Sequence, residues 1–254
     1  MPRARLFAGL AALTFVVFAL GGAPATLITV FLPEEVQLSG LRGSLWAGEA
    51  SSLRAGQMRL GRTRWDLSPW QLLLGRLAGE IDTALPEGFA RGEFAIGLGG
   101  SLLLKNFSAA APVATLAAAA GIGLPVQGGQ VAVELTALKI ADSWPQQAIG
   151  EIRIGDVAMV FRNGQPVQDQ LASFELRFDA DDVPEAGPLE GTLADRGGPL
   201  EVAGLVQLTP PANYELSGRA TPRANAPQEM RQALVLLGPE APDGSRDFSF
   251  AGSF

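Results

Sequence analysis

The sequence predicts a mainly β protein: an N-terminal transmembrane helix followed by an extended, curved, largely antiparallel β-sheet with a few short helices. Three observations carry that expectation. Apolar and polar residues alternate with a period of two along most of the chain beyond residue 33, the pattern of half-buried strands. Turn formers are dense, with 31 glycines and 18 prolines in 254 residues, which favours many short elements over long helices. A single long uncharged run stands at the N-terminus.

That run, Leu6–Pro33, holds 28 residues without a charge. A bilayer core of roughly 30 Å needs about 20 helical residues, so the run suffices to span. Arg3 and Arg5 precede it and Glu34 and Glu35 follow it; arginine on one side holds that end in the cytoplasm. The expected organisation is a cytoplasmic N-terminus at 1–5, a transmembrane anchor at 6–32 and a periplasmic β-rich body at 33–254. The expected location is the inner membrane of a Gram-negative cell. A cleaved signal peptide is the rival, because "APA" at Ala23–Ala25 resembles a cleavage site. Against it, the apolar run before Gly21 is longer than a signal peptide needs, and apolarity resumes in "TLITVFL". Both readings export the body.

Within the body, "GQVAVELTALKI" sets Val131, Val133 and Leu135 on one face. "GEIRIGDVAMVF" repeats the pattern, and "ASFELRFDAD" opposes Phe174, Leu176 and Phe178 to Glu175, Arg177 and Asp179. Turn signals fall between them at "GLGGS", "QGG", "RNG", "DRGG" and "DG", and Asn163-Gly164 suits a two-residue type I′ turn best. One hairpin following another along a single sheet is the expected topology. Three short helices interrupt it. "SPWQLLLGRL" offers Ser68 as N-cap and Pro69 at the first helical position, with Trp70, Leu73, Leu74 and Leu77 on one stripe. "PVATLAAAAG" is alanine-rich, and "NAPQEMRQALVLLG" closes at Gly238.

Histidine and cysteine are both absent. That removes the Ser-His-Asp triad, the cysteine nucleophile, disulfides and zinc sites built on nitrogen or sulfur. Lys105 and Lys139 are the only lysines, so Schiff-base chemistry has little support. Beyond the anchor the chain carries 17 basic and 26 acidic residues, a net of −9, which repels phosphate and disfavours nucleic acid. "DADD" at Asp179–Asp182 lacks the spread ligands of a calcium loop. The glycine clusters lack the lysine and hydroxyl of a phosphate cradle. The expectation is no enzyme, no catalytic residue, no cofactor and no metal.

Three of the four tryptophans, Trp46, Trp65 and Trp70, fall within Gly43–Leu77. Large aromatics among small residues usually fill core corners, and that is the first reading for all three. Docking is the second, since tryptophan is also favoured at interfaces and membrane boundaries.

"LSGLRGSLWAGEA" followed by "RLGRTRWDLSPWQLLLGRL" resembles the type II secretion system protein N family, also called general secretion pathway protein N. The residues that carry the likeness are Gly43, Ser44, Trp46, Gly48 and Ala50, then Trp65, Leu67 and Pro69; Trp70 opens the leucine-rich stretch behind them. "GEIRIGDVAMV", "GPLEGTLADRGGPLEVAG", "YELSGRATPR" and "ALVLLG" before "DGSRDFSFAG" extend it over nearly the whole chain. The alanine run Ala117–Ala120 is a departure, blander than the family pattern. The resemblance implies an accessory inner-membrane and periplasmic part of the machine that exports folded proteins across the outer membrane. Its partners would be other inner-membrane and periplasmic subunits of that apparatus, with no catalysis and no cofactor. Gly43, Trp46, Gly48, Trp65, Pro69 and Trp70 are then the family-motif and candidate interaction residues. The alternative is a membrane-tethered β-groove that binds or carries lipid acyl chains, since a one-sided apolar sheet suits such a groove.

Overall fold

The structure, a computed structural model, describes residues 21–30, 36–55, 58–85, 87–119, 126–142, 144–159, 171–181, 183 and 187–253. The period-two alternation resolves there into antiparallel strands, arranged in two compact units, Met1–Pro86 and Glu87–Phe254. Most of the expected anchor and the Asn163-Gly164 turn lie outside the described residues. Of the anchor's far end, Ala25–Val30 form a 3-10 helix, with Ala23 and Ala25 buried. Among the described residues no helix is long and apolar enough to cross a membrane.

The first unit contains β1 (Val36–Ser39), β2 (Arg42–Gly43), β3 (Ala47–Ala50), β4 (Ser52–Ala55), β5 (Met58–Leu60), β6 (Thr63–Leu67), the one-turn helix α1 (Pro69–Leu72) and β7 (Arg76–Leu85). β1, β4 and β5 make a small sheet, and β2, β3, β6 and β7 pair in that order in another. β6 alternates strictly, with Thr63, Trp65 and Leu67 buried and Arg64 and Asp66 exposed.

The second unit runs β8 (Gly88–Gly97), β9 (Leu102–Pro112), α2 (Val113–Ala119), β10 (Val126–Ala141), β11 (Trp144–Met159), β12 (Ala172–Ala180), β13 (Leu189–Asp195), β14 (Leu200–Thr209), β15 (Asn213–Pro222), α3 (Gln228–Leu234) and β16 (Arg246–Ser253). Each strand pairs antiparallel with the next in sequence, from β8 to β16. The expected succession of hairpins is what the chain forms here.

Register separates the two faces of this sheet. Val133, Ile152, Leu176 and Leu193 are cross-strand partners along one row, and Glu134, Glu151, Arg177 and Thr192 along the next. The apolar face is covered in three places. α3 sets Met230 and Leu234 against Leu200, Val202 and Ala220, with Phe174, Leu193 and Phe248 beside them. α2 brings Val113 and Leu116 to Val131 and Val157. Val183 packs with Ala148, Phe178 and Leu189. The late helix is shorter than its sequence pattern: it begins at Gln228 after Pro227 and passes into a 3-10 turn at Val235–Leu237.

The "DRGG" turn between β13 and β14 is held by a half-buried charge. The Asp195 carboxylate accepts the Val202 N–H at 3.0 Å, the Gly197 N–H at 3.1 Å and the Arg223 guanidinium at 2.7 Å. Arg223 also donates to the carbonyls of Gly198 and Leu200. Burial pushes the Asp195 pKa up, but the Val202 N–H, the Arg223 guanidinium and the Gly197 N–H outweigh it and hold the carboxyl below its ordinary range. An unfolded aspartate titrates near pH ~3.9. The contribution is therefore present above that value and is lost as the pH falls through the lower folded-state pKa. Urea unfolding of the detergent-solubilised chain should show Asp195→Asn destabilised by about 1–3 kcal/mol at neutral pH. The gap should close in acid, once both states of the wild-type aspartate are protonated.

Candidate functional site

In the first unit, "GSLWAG" folds into a tight hairpin. Gly43 opposes Gly48 across β2 and β3, and Gly48 in turn opposes Trp65 on β6. Gly43 has φ +91°, a conformation side chains rarely adopt. Gly48 leaves room for the neighbouring indole: a Cβ there would lie 2.5 Å from Trp65 Cζ2 and 2.8 Å from the Ser44 carbonyl oxygen. Trp65 is 6% exposed and donates its ring N–H to the Leu45 carbonyl at 3.0 Å. Ser44 tightens the turn, its hydroxyl accepting the Ala47 N–H at 3.0 Å. The chain arriving from the N-terminus docks on the same turn, for Leu45 N–H donates to the Ala23 carbonyl at 2.8 Å and Pro24 bridges to Ser44. Trp46 is half-buried at this turn, and its carbonyl accepts the Leu67 N–H.

β6 then leads into α1. Ser68 stands at the N-cap in extended conformation, but its side chain makes no capping bond, and Pro69 occupies the first helical position. The expected amphipathic helix through Leu77 does not form. Leu73, Leu74 and Gly75 donate to Trp70, Gln71 and Leu72, the three-residue spacing of a tight turn, and Arg76 already belongs to β7. The segment is therefore the tip of the β6–β7 hairpin, closed where the Ser68 N–H meets the Ala78 carbonyl at 2.8 Å.

This geometry overturns the core reading for one tryptophan. Trp70 is 75% exposed, Leu72 46%, Leu73 79% and Leu74 68%. A one-turn helix with apolar residues on all sides cannot bury them against one sheet. Pro69 is exposed beside Trp70. Gly43, Trp46, Gly48 and Trp65 thus lie together in the hairpin knot, and Pro69 and Trp70 stand on the neighbouring tip. Leu72, Leu73 and Leu74 belong to the exposed cluster, with only Leu72 absent from the helical stripe that the sequence suggests. The signal for the tip is the alternation of "RTRWDL" and "RLAGEID" on either side, which marks a hairpin whose connection must protrude.

The second unit offers a different surface. Its charged face carries ion pairs in register: Glu151 with Arg153 and with Arg177 at 3.3 Å, and Glu175 with Arg177 at 3.2 Å and with Arg196 at 2.9 Å. An open depression of about 520 Å³ lies where β10 and β11 bulge, lined by Asn106, Glu134, Thr136, Glu151, Arg177 and Asp179 among others. The arginines of these pairs are exposed, whereas Glu175 is buried and Glu151 half-buried beneath them. Among the described residues no group of acidic side chains is placed to hold a metal ion.

Residues 34–249 match the family described as Type II secretion system (T2SS), protein N. The chain belongs to that family. It is 26% identical to the type II secretion system protein N of Aeromonas hydrophila, over 98% of this chain and 97% of the relative. Its identity to the protein of the same name from Vibrio cholerae serotype O1 is also 26%, over 86% and 84% of the two chains. No solved structure matches it. The family match takes in the hairpin knot, the exposed tip and nearly all of the second unit.

The knot and the tip should respond oppositely to substitution. Gly48→Ala forces the new methyl group into Trp65 and the Ser44 carbonyl and should cost about 1–3 kcal/mol. Trp70→Ala should leave stability within about 0.5 kcal/mol of wild type. Thermal unfolding followed by tryptophan fluorescence measures both.

Proposed function

We propose that this chain is an accessory inner-membrane component of the type II secretion machinery. Its single anchor lies within the uncharged run expected at 6–32, ahead of Ala23 where the chain meets the body; its N-terminus is cytoplasmic, and its β-rich body stands in the periplasm. It acts through contacts with other inner-membrane and periplasmic subunits rather than by chemistry. The observation that carries the reading is the family match over 34–249. Three others support it: relatives bearing that name along nearly their whole length, the uncharged run behind Arg3 and Arg5, and an exposed aromatic–leucine tip suited to contact.

The acyl-chain groove has weaker support. The apolar face of the second unit carries α2 and α3, and the depression on the unit has a mixed lining in which Glu134, Glu151, Arg177 and Asp179 stand beside Phe107, Leu135, Ile149 and Phe178.

Deletion of the gene in a strain that depends on its type II system should leave folded exoproteins in the periplasm. Fractionation and enzyme assay of the exported proteins measure this, and the full-length gene supplied in trans should restore export. Undiminished export by the deletion strain counts against the proposal.

A further inference from the structure

The exposed tip and the docking point of Ala23 and Pro24, within the uncharged N-terminal run, lie at the same end of one sheet. β3 and β6 are antiparallel, Ala47 opposing Asp66 and Ala50 opposing Thr63. The turn Ser44–Trp46, which precedes β3, is therefore level with Leu67 and the α1 tip that follows it. That turn is where Ala23 and Pro24 dock. The chain at Ala23 and Pro24, within the uncharged run, thus meets the body beside Trp70, Leu72, Leu73 and Leu74, not at the opposite end near Ser51, Arg62 and Ala84.

Charge separates the two units. With Arg3 and Arg5 on the cytoplasmic side, the rest of Met1–Pro86 carries six basic and six acidic residues and is neutral, whereas Glu87–Phe254 carries eleven and twenty, a net of −9. An anionic lipid surface thus repels the second unit but not the first. At the tip itself, Arg76 is exposed and donates to Gln71. Tryptophan, leucine and a flanking arginine on a short projection is the composition of a segment seated at a membrane interface. Asp66 and Glu80 oppose each other just behind the tip on β6 and β7, and their need for water limits burial to the residues beyond Ser68 and Ala78.

We propose that the β6–β7 tip, through Trp70, Leu72, Leu73 and Leu74, inserts into the headgroup region of a phospholipid bilayer containing anionic lipid. It forms a second membrane contact beside the anchor, and this inference rests on the anchor reading. The first unit is then held against the membrane at two points, which restricts its rotation about the chain that tethers it.

The chain has no cysteine, so a single engineered thiol reports one position. The test uses full-length Leu73→Cys and, separately, Arg62→Cys at the far end of the sheet. Each is labelled with an environment-sensitive fluorophore and reconstituted into vesicles of phosphatidylethanolamine and phosphatidylglycerol. The Leu73 probe should emit further to the blue than the Arg62 probe, be quenched by headgroup-proximal spin-labelled lipid, and lose iodide quenching several-fold. Equal iodide quenching at both positions overturns the insertion. So does a Leu73 probe shielded from iodide but untouched by spin-labelled lipid, which means that protein covers the tip. Flotation of the same vesicles separates the two readings. Protein that floats with a wet tip sinks the insertion alone, and protein that fails to float sinks the anchor and the insertion together. A Trp70→Asp, Leu73→Asp variant that still floats should lose both the blue shift at a neighbouring Leu74→Cys probe and its lipid quenching.

Discussion

The two-residue repeat of the pleated strand is the constraint on which the second unit depends. Because neighbouring strands are antiparallel and in register, a row of Val133, Ile152, Leu176 and Leu193 necessarily adjoins a row of Glu134, Glu151, Arg177 and Thr192. One face is thereby committed to burial and the other to water. The coverings follow from that: α3 over Leu200 and Val202, α2 over Val131, and the Val183 segment over Phe178. The opposite face meets its carboxylates with arginines. Glu151 pairs with Arg153 on its own strand and Arg177 on the next, and Glu175 with Arg177 on its own strand and Arg196 in the β13–β14 turn.

In the first unit a close approach takes the place of a broad core. Gly48 has no side chain, so the Trp65 ring lies over it and reaches the Leu45 carbonyl. The same hairpin receives the N-terminal chain at Ala23. The glycine–tryptophan pattern is thus a fold determinant at Gly43, Gly48 and Trp65. At the next turn of the chain, tryptophan serves a different end: Trp70 makes the tip apolar where no part of the unit shelters it.

Much of this organisation was legible in the residues. Strict alternation in "RTRWDL" and "ASFELRFDA" marks β6 and β12, and "GLGGS" and "DRGG" do turn between neighbouring strands, whereas "QGG", read as a turn, falls inside β10. Gly238 does bound the late helical segment. What was not legible has a physical cause. Trp70, Leu73 and Leu74 fit a helical stripe by spacing, yet spacing says nothing of whether a helix is long enough to lie on a sheet. α1 turns once and then returns into β7. The Asp195 knot was equally hidden. Its donors come from Gly197, Val202 and Arg223, and only the folded β13–β14–β15 register brings the last of these within reach. The six motif residues are contiguous enough in sequence to look like one site, but the structure divides them between a buried knot and a protruding tip.

The neighbour-to-neighbour pairing of β8 through β16 has a consequence for how this body is made. No strand there waits for a partner beyond its neighbour in sequence, so each new strand extends an edge already present. Local connectivity of this kind lowers the entropic barrier that slows most all-β proteins. A chain emerging from its N-terminal end can therefore zip up strand by strand. The last piece to arrive is β16, preceded by α3, whose Met230 and Leu234 close over Leu200 and Val202. Until that helix docks, the growing sheet leaves that part of its apolar face uncovered, and the chain from Gln228 onward acts as the latch of an otherwise sequential assembly.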